Sequence, residues 1–93
     1  MPHHKSAIKR MKQNEKRRMR NRARKSRMKT AIRAVEQAMF EKDIEKVQQK
    51  LREAVSVIAR TAAKGTIHPN KAARKISRLT RRVNRFLAEQ QAA

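Results

Sequence analysis

The chain has 93 residues and a formal charge of +20, because 27 Lys and Arg face only 7 Asp and Glu. Sixteen of the 93 residues are Ile, Leu, Val or Phe, which is about 17% of the chain. Highly charged chains with less than roughly 20% of these residues tend towards disorder, so a large independent core is excluded. The absence of cysteine excludes a disulfide framework, and no apolar run approaches the ~18 residues of a membrane span. A charge this large opposes compaction and calls for a polyanionic partner, of which nucleic acid is the commonest.

The positive charge is divided unevenly along the chain. Residues 1–30 carry 13 basic side chains and one acid, whereas residues 31–57 carry five of each. Residues 58–93 carry nine basic side chains and again one acid. The two flanks hold the whole excess, so we expect them to form one continuous basic surface. The start is basic without the apolar stretch of a secretory signal, so we expect a cytosolic protein.

Apolar residues recur at spacings of three and four, which predicts amphipathic helices. Helix breakers are limited to one Gly and two Pro, and two aromatic residues give little support for strands. We therefore predict an all-α protein, a three-helix bundle with a long, basic, protruding first helix. The three apolar stripes are Met28, Ile32, Val35 and Met39; Ile44, Val47, Leu51, Val55 and Ile58 with Ala54 and Ala62; and Ala72, Ile76, Leu79, Val83 and Phe86 with Leu87.

The first helix is predicted over residues 5–41. At about 1.5 Å per residue it spans roughly 55 Å, against roughly 30 Å for each of the others, so they can cover only its C-terminal part. Of the 21 Ile, Leu, Val, Met and Phe residues, 17 lie from Met28 onward. We therefore predict a basic N-terminal extension, residues 1–27, that projects from the bundle and inserts into its nucleic-acid partner, and a single bundle domain, residues 28–93.

Like charges lie four residues apart throughout the extension, for example Lys5 and Lys9, or Arg20 and Arg24. Such pairs destabilise an isolated helix. We therefore expect the extension to be partly disordered alone and to become helical when phosphates neutralise it.

The second and third helices are predicted over residues 44–63 and 69–88 from the signals at their ends. Asp43 suits the N-cap of the second helix, where its carboxylate can accept from an otherwise unbonded amide. Lys64 and Gly65 suit its end, because a cation complements the last turn and Gly tolerates the left-handed conformation that follows. Pro69 suits the first turn of the third helix, where no amide hydrogen is needed.

Residues suited to catalysis or metal binding are scarce. There is no thiol, and a single glycine cannot build a glycine-rich phosphate loop. His3 and His4 lie at the terminus and His68 lies in a turn, which gives no metal-ligand spacing. We therefore predict no enzyme, no metal, no cofactor and no small-molecule substrate. Two interpretations of His68 stay open, a helix-capping residue of the turn and a contact to a phosphate or a base.

Three other interpretations of the basic segments have weaker support. Residues 21–27 look like the basic region of leucine-zipper transcription factors, but the Asn-to-Arg spacing is too short and no leucine heptads follow. A membrane-active cationic helix needs an apolar face, for which Ile8, Met11 and Met19 are too sparse. A DNA-compacting, histone-like protein stays the main alternative.

The turn and the start of the third helix carry a family resemblance. Residues 62–75, which read Ala-Ala-Lys-Gly-Thr-Ile-His-Pro-Asn-Lys-Ala-Ala-Arg-Lys, closely resemble the signature of the bacterial small-subunit ribosomal protein number twenty family. Residues 5–10 and the basic run over residues 20–26 are also similar to that family. Pro69 and Ile76 depart from it, since Lys is expected at both positions, and the second departure suggests a place for Ile76 at the edge of the bundle.

The resemblance implies a three-helix bundle that binds 16S ribosomal RNA directly and early in small-subunit assembly, at the 5′ domain and the long penultimate helix. No membrane partner and no homo-oligomer are expected. The resemblance places RNA contacts at Lys5, Ser6, Lys9, Arg10, Arg20, Asn21, Lys25, Lys64, Gly65, His68, Asn70, Lys71, Arg74 and Lys75. The charge pattern adds Lys12, Lys16, Arg17, Arg18, Arg22, Arg24, Arg27, Arg78, Arg81, Arg82 and Arg85.

The residue types also indicate how RNA is recognised. Arg binds phosphate through two parallel hydrogen bonds, and Lys acts as a mobile point charge. Aromatic platforms for base stacking are missing, because Phe40 and Phe86 are expected in the core or at the edge of the bundle. The sequence therefore predicts a protein that reads RNA shape and holds separate RNA helices together.

Overall fold

A computed structural model describes residues 2–92, with side chains over residues 5–92. The chain forms three α-helices, α1 (Pro2–Phe40), α2 (Ile44–Ala63) and α3 (Pro69–Ala92), and the described residues contain no strand. The predicted all-α, three-helix fold is confirmed. Both ends of α2 and the start of α3 are as predicted, whereas α3 continues beyond the predicted end at residue 88. His3 and His4 lie within α1, and their side chains are outside the described ones.

The turn between α1 and α2 reverses the chain through a residue with a positive φ angle. Lys42 has a φ of 58°, which L-residues other than Gly adopt at a cost. Its amide donates to the carbonyl oxygen of Met39 at 3.1 Å, and the amide of Asp43 donates to that of Ala38 at 3.2 Å. This pair of bonds is the Schellman motif, which satisfies carbonyl groups at the end of a helix.

Side chains around the same turn join α1 to α2. The Oδ1 atom of Asp43 accepts from the amide of Lys46 at 3.2 Å, so Asp43 is the N-cap that the sequence predicts. The Nζ atom of Lys46 donates to Oε2 of Glu41 at 3.1 Å, and Gln37 donates to the same carboxylate. These hydrogen bonds lower the pKa of Glu41 below its ordinary value, and the bond from Lys46 has the larger effect.

The turn between α2 and α3 repeats the Schellman motif with glycine. Gly65 has a φ of +78°, and its amide donates to the carbonyl of Ala62 at 2.9 Å. The amide of Thr66 donates to the carbonyl of Thr61 at 3.1 Å. The sequence prediction that Gly65 ends α2 is therefore confirmed, and the motif sets the direction in which α3 departs.

The hydrophobic core lies where the predicted stripes of the three helices meet. Ten apolar residues are buried: Met28, Val35, Ala38, Val47, Ala54, Ile58, Ile67, Ala72, Leu79 and Val83. Two expectations are wrong, because Phe40 is 84% exposed and Ile44 is 43% exposed, both beside the α1–α2 turn. The turn residue Ile67, which belongs to no stripe, is buried instead, while Ile76 is half-buried at the edge of the core.

Helix α2 packs along both other helices, whereas α1 and α3 meet only over a short stretch. There Nη1 of Arg82 lies 3.1 Å from Oε1 of Glu36, which links α3 to α1 on the surface. The molecule is 72 Å long, and its radius of gyration is 18.4 Å, against about 12 Å for a compact chain of this length. The difference arises because the N-terminal part of α1 runs beyond the other two helices.

Candidate nucleic-acid interface

The N-terminal part of α1 presents cations to solvent on all sides. Every side chain over residues 5–20 is exposed, and within residues 5–27 only Asn21 and Arg24 are half-buried. No carboxylate forms an ion pair with a cation of this segment among the described side chains. The first turns carry the predicted contacts Lys5, Ser6, Lys9, Arg10 and Lys12, and Lys16 and Arg20 share a shallow depression with Arg17 and Gln13.

One face of α1 forms a long cationic groove. Its lining residues recur at helical spacing, so they follow one side of α1 over about four turns. The groove encloses about 580 Å³ and contains no carboxylate. Positive charge and amide groups along one side of a continuous helix suit the phosphates of a nucleic-acid strand. The residues are Asn14, Arg17, Arg18, Asn21, Arg22, Lys25, Ser26 and Lys29.

A second concave site, the α1–α2 cleft, lies where α1 crosses the C-terminal half of α2. Helix α1 contributes Arg24 and Arg27, and α2 contributes Arg60 and Lys64. Val57 and Thr61 complete the lining, and the volume is about 340 Å³. The packing of the two helices thus brings together four cations that lie up to 40 positions apart in the sequence.

A hydrogen bond fastens α1 to the turn between α2 and α3. The hydroxyl of Thr66 donates to Oδ1 of Asn21 at 3.1 Å, in a part-buried position, across 45 residues of sequence. Contact between α1 and the rest of the molecule therefore reaches about two helical turns ahead of Met28. Asn21 also lines the cationic groove of α1, so the turn and the groove share a residue.

His68 caps α3. Its Nδ1 atom accepts from the amide of Asn70 at 3.1 Å, and its carbonyl oxygen accepts from the amide of Ala72. Pro69 occupies the first position of the helix, as predicted. Because Nδ1 is the acceptor, the proton of the neutral imidazole lies on Nε2, and the side chain is exposed. The capping interpretation is thus confirmed, and it leaves an N–H group on the outer side of the ring.

Helix α3 carries a separate row of basic residues. Arg74, Arg78, Arg81 and Arg85 are exposed and recur at spacings of four and three, so they lie on one side of the helix. Lys75 is half-buried, and Arg82 forms the ion pair with Glu36. The turn adds further exposed groups of the predicted set, Lys64, Gly65, Asn70 and Lys71.

Neither a metal centre nor a membrane span is found in the described part of the chain. No three His, Cys, Asp or Glu side chains come close enough together to hold a metal ion there. None of the described helices is long and apolar enough to cross a bilayer.

Comparison with known proteins decides the family. The family model of "Ribosomal protein S20" matches residues 2–84. A small ribosomal subunit protein bS20 from Syntrophobacter fumaroxidans is 55% identical over 84 residues, which cover 90% of this chain and 98% of the relative. The chain belongs to the ribosomal protein S20 family. The proteins named bS20 from Oleidesulfovibrio alaskensis and Persephonella marina are 56% and 51% identical over 90% of this chain and 97% and 91% of theirs.

Membership of the S20 family confirms the resemblance seen in residues 62–75 and explains the missing catalytic groups. As a member of this family, the chain is a structural component of the small ribosomal subunit and not an enzyme. Its exposed rows of cations and its elongated shape are typical of a protein that lies within a larger assembly.

The structure adds two cations to those that the sequence singles out. Lys29 continues the groove of α1 one turn beyond Lys25, and Arg60 lines the α1–α2 cleft. A signal for Arg60 exists in the sequence, because it precedes Lys64 by four residues and therefore shares its face of α2. No comparable pattern in the sequence predicts the hydrogen bond between Asn21 and Thr66.

Proposed function

We propose that this protein binds 16S ribosomal RNA directly and stabilises the assembly of the small subunit by contacts to the phosphate backbone. The cationic groove of α1 is the observation that carries the proposal. It combines about four helical turns of positive charge with an absence of carboxylates, and it lies on an element that projects away from the core. A continuous cationic helix of this kind can enter between RNA helices, where phosphates face it from more than one side.

Backbone and shape recognition fit the chain better than base reading. Arg outnumbers Lys by 15 to 12, which favours phosphates held in fixed positions. The exposed ring of Phe40 lies in a shallow groove that holds the carboxylates of Glu36 and Glu89 and also two arginines of α3, Arg82 and Arg85. A single exposed ring does not form the row of aromatic platforms on which successive bases stack. Base stacking is therefore not part of the proposal.

The two basic surfaces are proposed to hold different RNA elements. The groove of α1 and the arginine row of α3 lie on helices that touch only over a short stretch. The resemblance to the family indicates the 5′ domain and the long penultimate helix of 16S RNA as the two elements. A protein that bridges them within the cytoplasmic ribosome stabilises their relative position during assembly.

Chemical footprinting of purified 16S RNA tests this proposal. Wild-type protein should protect two separate sets of nucleotides, and reversing Arg17 and Arg22 to Glu should weaken one set selectively. Reversing Arg78 and Arg85 to Glu should weaken the other set. A single shared footprint that both variants weaken equally would argue against two separate contacts.

A filter-binding competition distinguishes ribosomal RNA from the DNA-compacting alternative. Folded 16S RNA should displace the protein from duplex DNA at much lower concentration than DNA displaces it from 16S RNA. Equal competition by the two polyanions would support a general nucleic-acid compacting protein and overturn the proposed function.

A further inference from the structure

The α1–α2 cleft differs from the other basic surfaces because its cations come from two helices. Arg24 and Arg27 approach from α1, and Arg60 and Lys64 approach from α2. All four charged residues that line the cleft are cations, and none of them forms an ion pair among the described side chains. Like charges gathered in one concave place repel one another, so the folded molecule gains when an anion enters.

The walls of the cleft are fixed by packing and hydrogen bonds. Arg24 is half-buried, and the Nη2 atom of Arg60 donates to Oγ of Ser56 at 3.0 Å. Thr61 at the floor is 4% exposed, and its hydroxyl donates to the carbonyl oxygen of Val57 at 2.7 Å. Arg24 and Arg60 are therefore restrained before any ligand arrives, which reduces the entropy lost on binding, whereas Arg27 and Lys64 are exposed.

The C-terminal end of α2 accounts for only part of this arrangement. A helix C-terminus carries a partial negative charge and favours cations in its last turn, which explains Arg60 and Lys64. It does not explain why two arginines of α1 line the same cleft. The convergence of both pairs matches the two or more donors with which guanidinium groups hold a phosphate.

We propose that Arg24, Arg27, Arg60 and Lys64 hold a single phosphate group of the RNA backbone in the α1–α2 cleft. The inference rests on the proposed function and extends it to Arg60, which neither the basic extension nor the arginine row of α3 includes. Because the phosphate contacts α1 and α2 together, its binding also strengthens the packing of the two helices.

Substitution of Arg60 tests the cleft, with Arg52 as the matched control. Both are exposed arginines of α2, but Arg52 lies in the groove towards α3. R60Q should raise the Kd for 16S RNA about tenfold, as expected for a lost charge-assisted hydrogen bond, and lower the salt slope of binding by about one. R52Q should change the Kd less than twofold, and R60K, which keeps the charge but loses the fork, should fall between them.

A double substitution tests whether two of the cations act on the same phosphate. R24Q and R60Q should each raise the Kd for 16S RNA. The double variant should raise it by less than the product of the two single fold increases, because the second substitution removes a contact that the first has already weakened. Circular dichroism should give R60Q and R52Q the helix content of the wild type and a single cooperative thermal transition, which shows that the fold is retained.

Equal affinities of R60Q and R52Q for 16S RNA would overturn the proposed phosphate site in the α1–α2 cleft but leave the proposed function in place. Failure of the wild-type protein to prefer 16S RNA over duplex DNA would overturn the proposed function itself. The two failures are therefore distinguishable in one set of binding curves.

Discussion

The hydrogen bond between Thr66 and Asn21 is the contact that positions the basic part of α1 against the turn, and its removal has a calculable effect. A neutral, part-buried hydrogen bond contributes about 1 kcal/mol to stability, which shifts the thermal midpoint of a chain of this size by about 4–8 °C. We expect Asn21→Ala and Thr66→Val each to lower the midpoint by this amount. The double variant should lose little more than either single one, because both remove the same bond.

Circular dichroism during heating measures the three midpoints, and filter binding to 16S RNA separates the two roles of Asn21. Its Oδ1 atom is engaged by Thr66, but the residue also lines the groove of α1. Asn21→Ala should therefore weaken RNA binding several-fold more than Thr66→Val. Strictly additive losses of stability would refute the reasoning about the bond, and equal RNA affinities would reduce Asn21 to a positioning residue.

Three further outcomes are expected. Lys42→Gly should raise the free energy of unfolding by about 1 kcal/mol, because glycine adopts the left-handed backbone of this position without strain. Gly65→Ala should lower it by about as much, although there is open space around the added Cβ. Changes of the same sign in thermal unfolding would contradict this explanation. Ile58→Ala should cost about 3 kcal/mol in urea unfolding and Ile58→Val about 1 kcal/mol, whereas similar small losses would show that this side chain does not hold the core. Amide hydrogens of residues 5–20 should exchange rapidly in the free protein and become protected on 16S RNA, and strong protection without RNA would disprove destabilisation by like charges.

The helix boundaries could be predicted because the signals that set them are local. Asp43 accepts from an amide three residues on, Gly65 supplies a positive φ angle at its own position, and Pro69 needs no partner for an amide hydrogen. Each acts through the backbone next to it, so the surrounding fold does not have to be known. The end of α1 at Phe40 is the less obvious case, since Lys42 takes the left-handed position that glycine would fill without strain.

The errors lie where a helix extends past its neighbour or where periodicity stops. Phe40 lies about 140° around α1 from Val35, off the buried stripe, and its hydrophobicity alone suggested burial. Ile44 has the right phase, but it is the first residue of α2, where the neighbouring helices cover it only in part. Ile67 is buried although it lies in a turn, because a turn has no period from which burial can be read.

The candidate interface divides in the same way. The basic character of α1 and α3 follows from charge counts along the sequence. The α1–α2 cleft depends on the register in which two helices pack, so the sequence alone could not place Arg60 beside Arg24. The bond between Asn21 and Thr66 spans 45 residues and depends on the same register.

The salt dependence of binding to 16S RNA tests most directly whether RNA phosphates neutralise the surplus positive charge of this protein. If about eight phosphates are neutralised, the logarithm of the association constant should fall with the logarithm of salt concentration at a slope of about −6 to −7. A slope of about −1 to −2 would mean that most of the exposed cations of α1 and α3 do not meet RNA, and it would contradict the account.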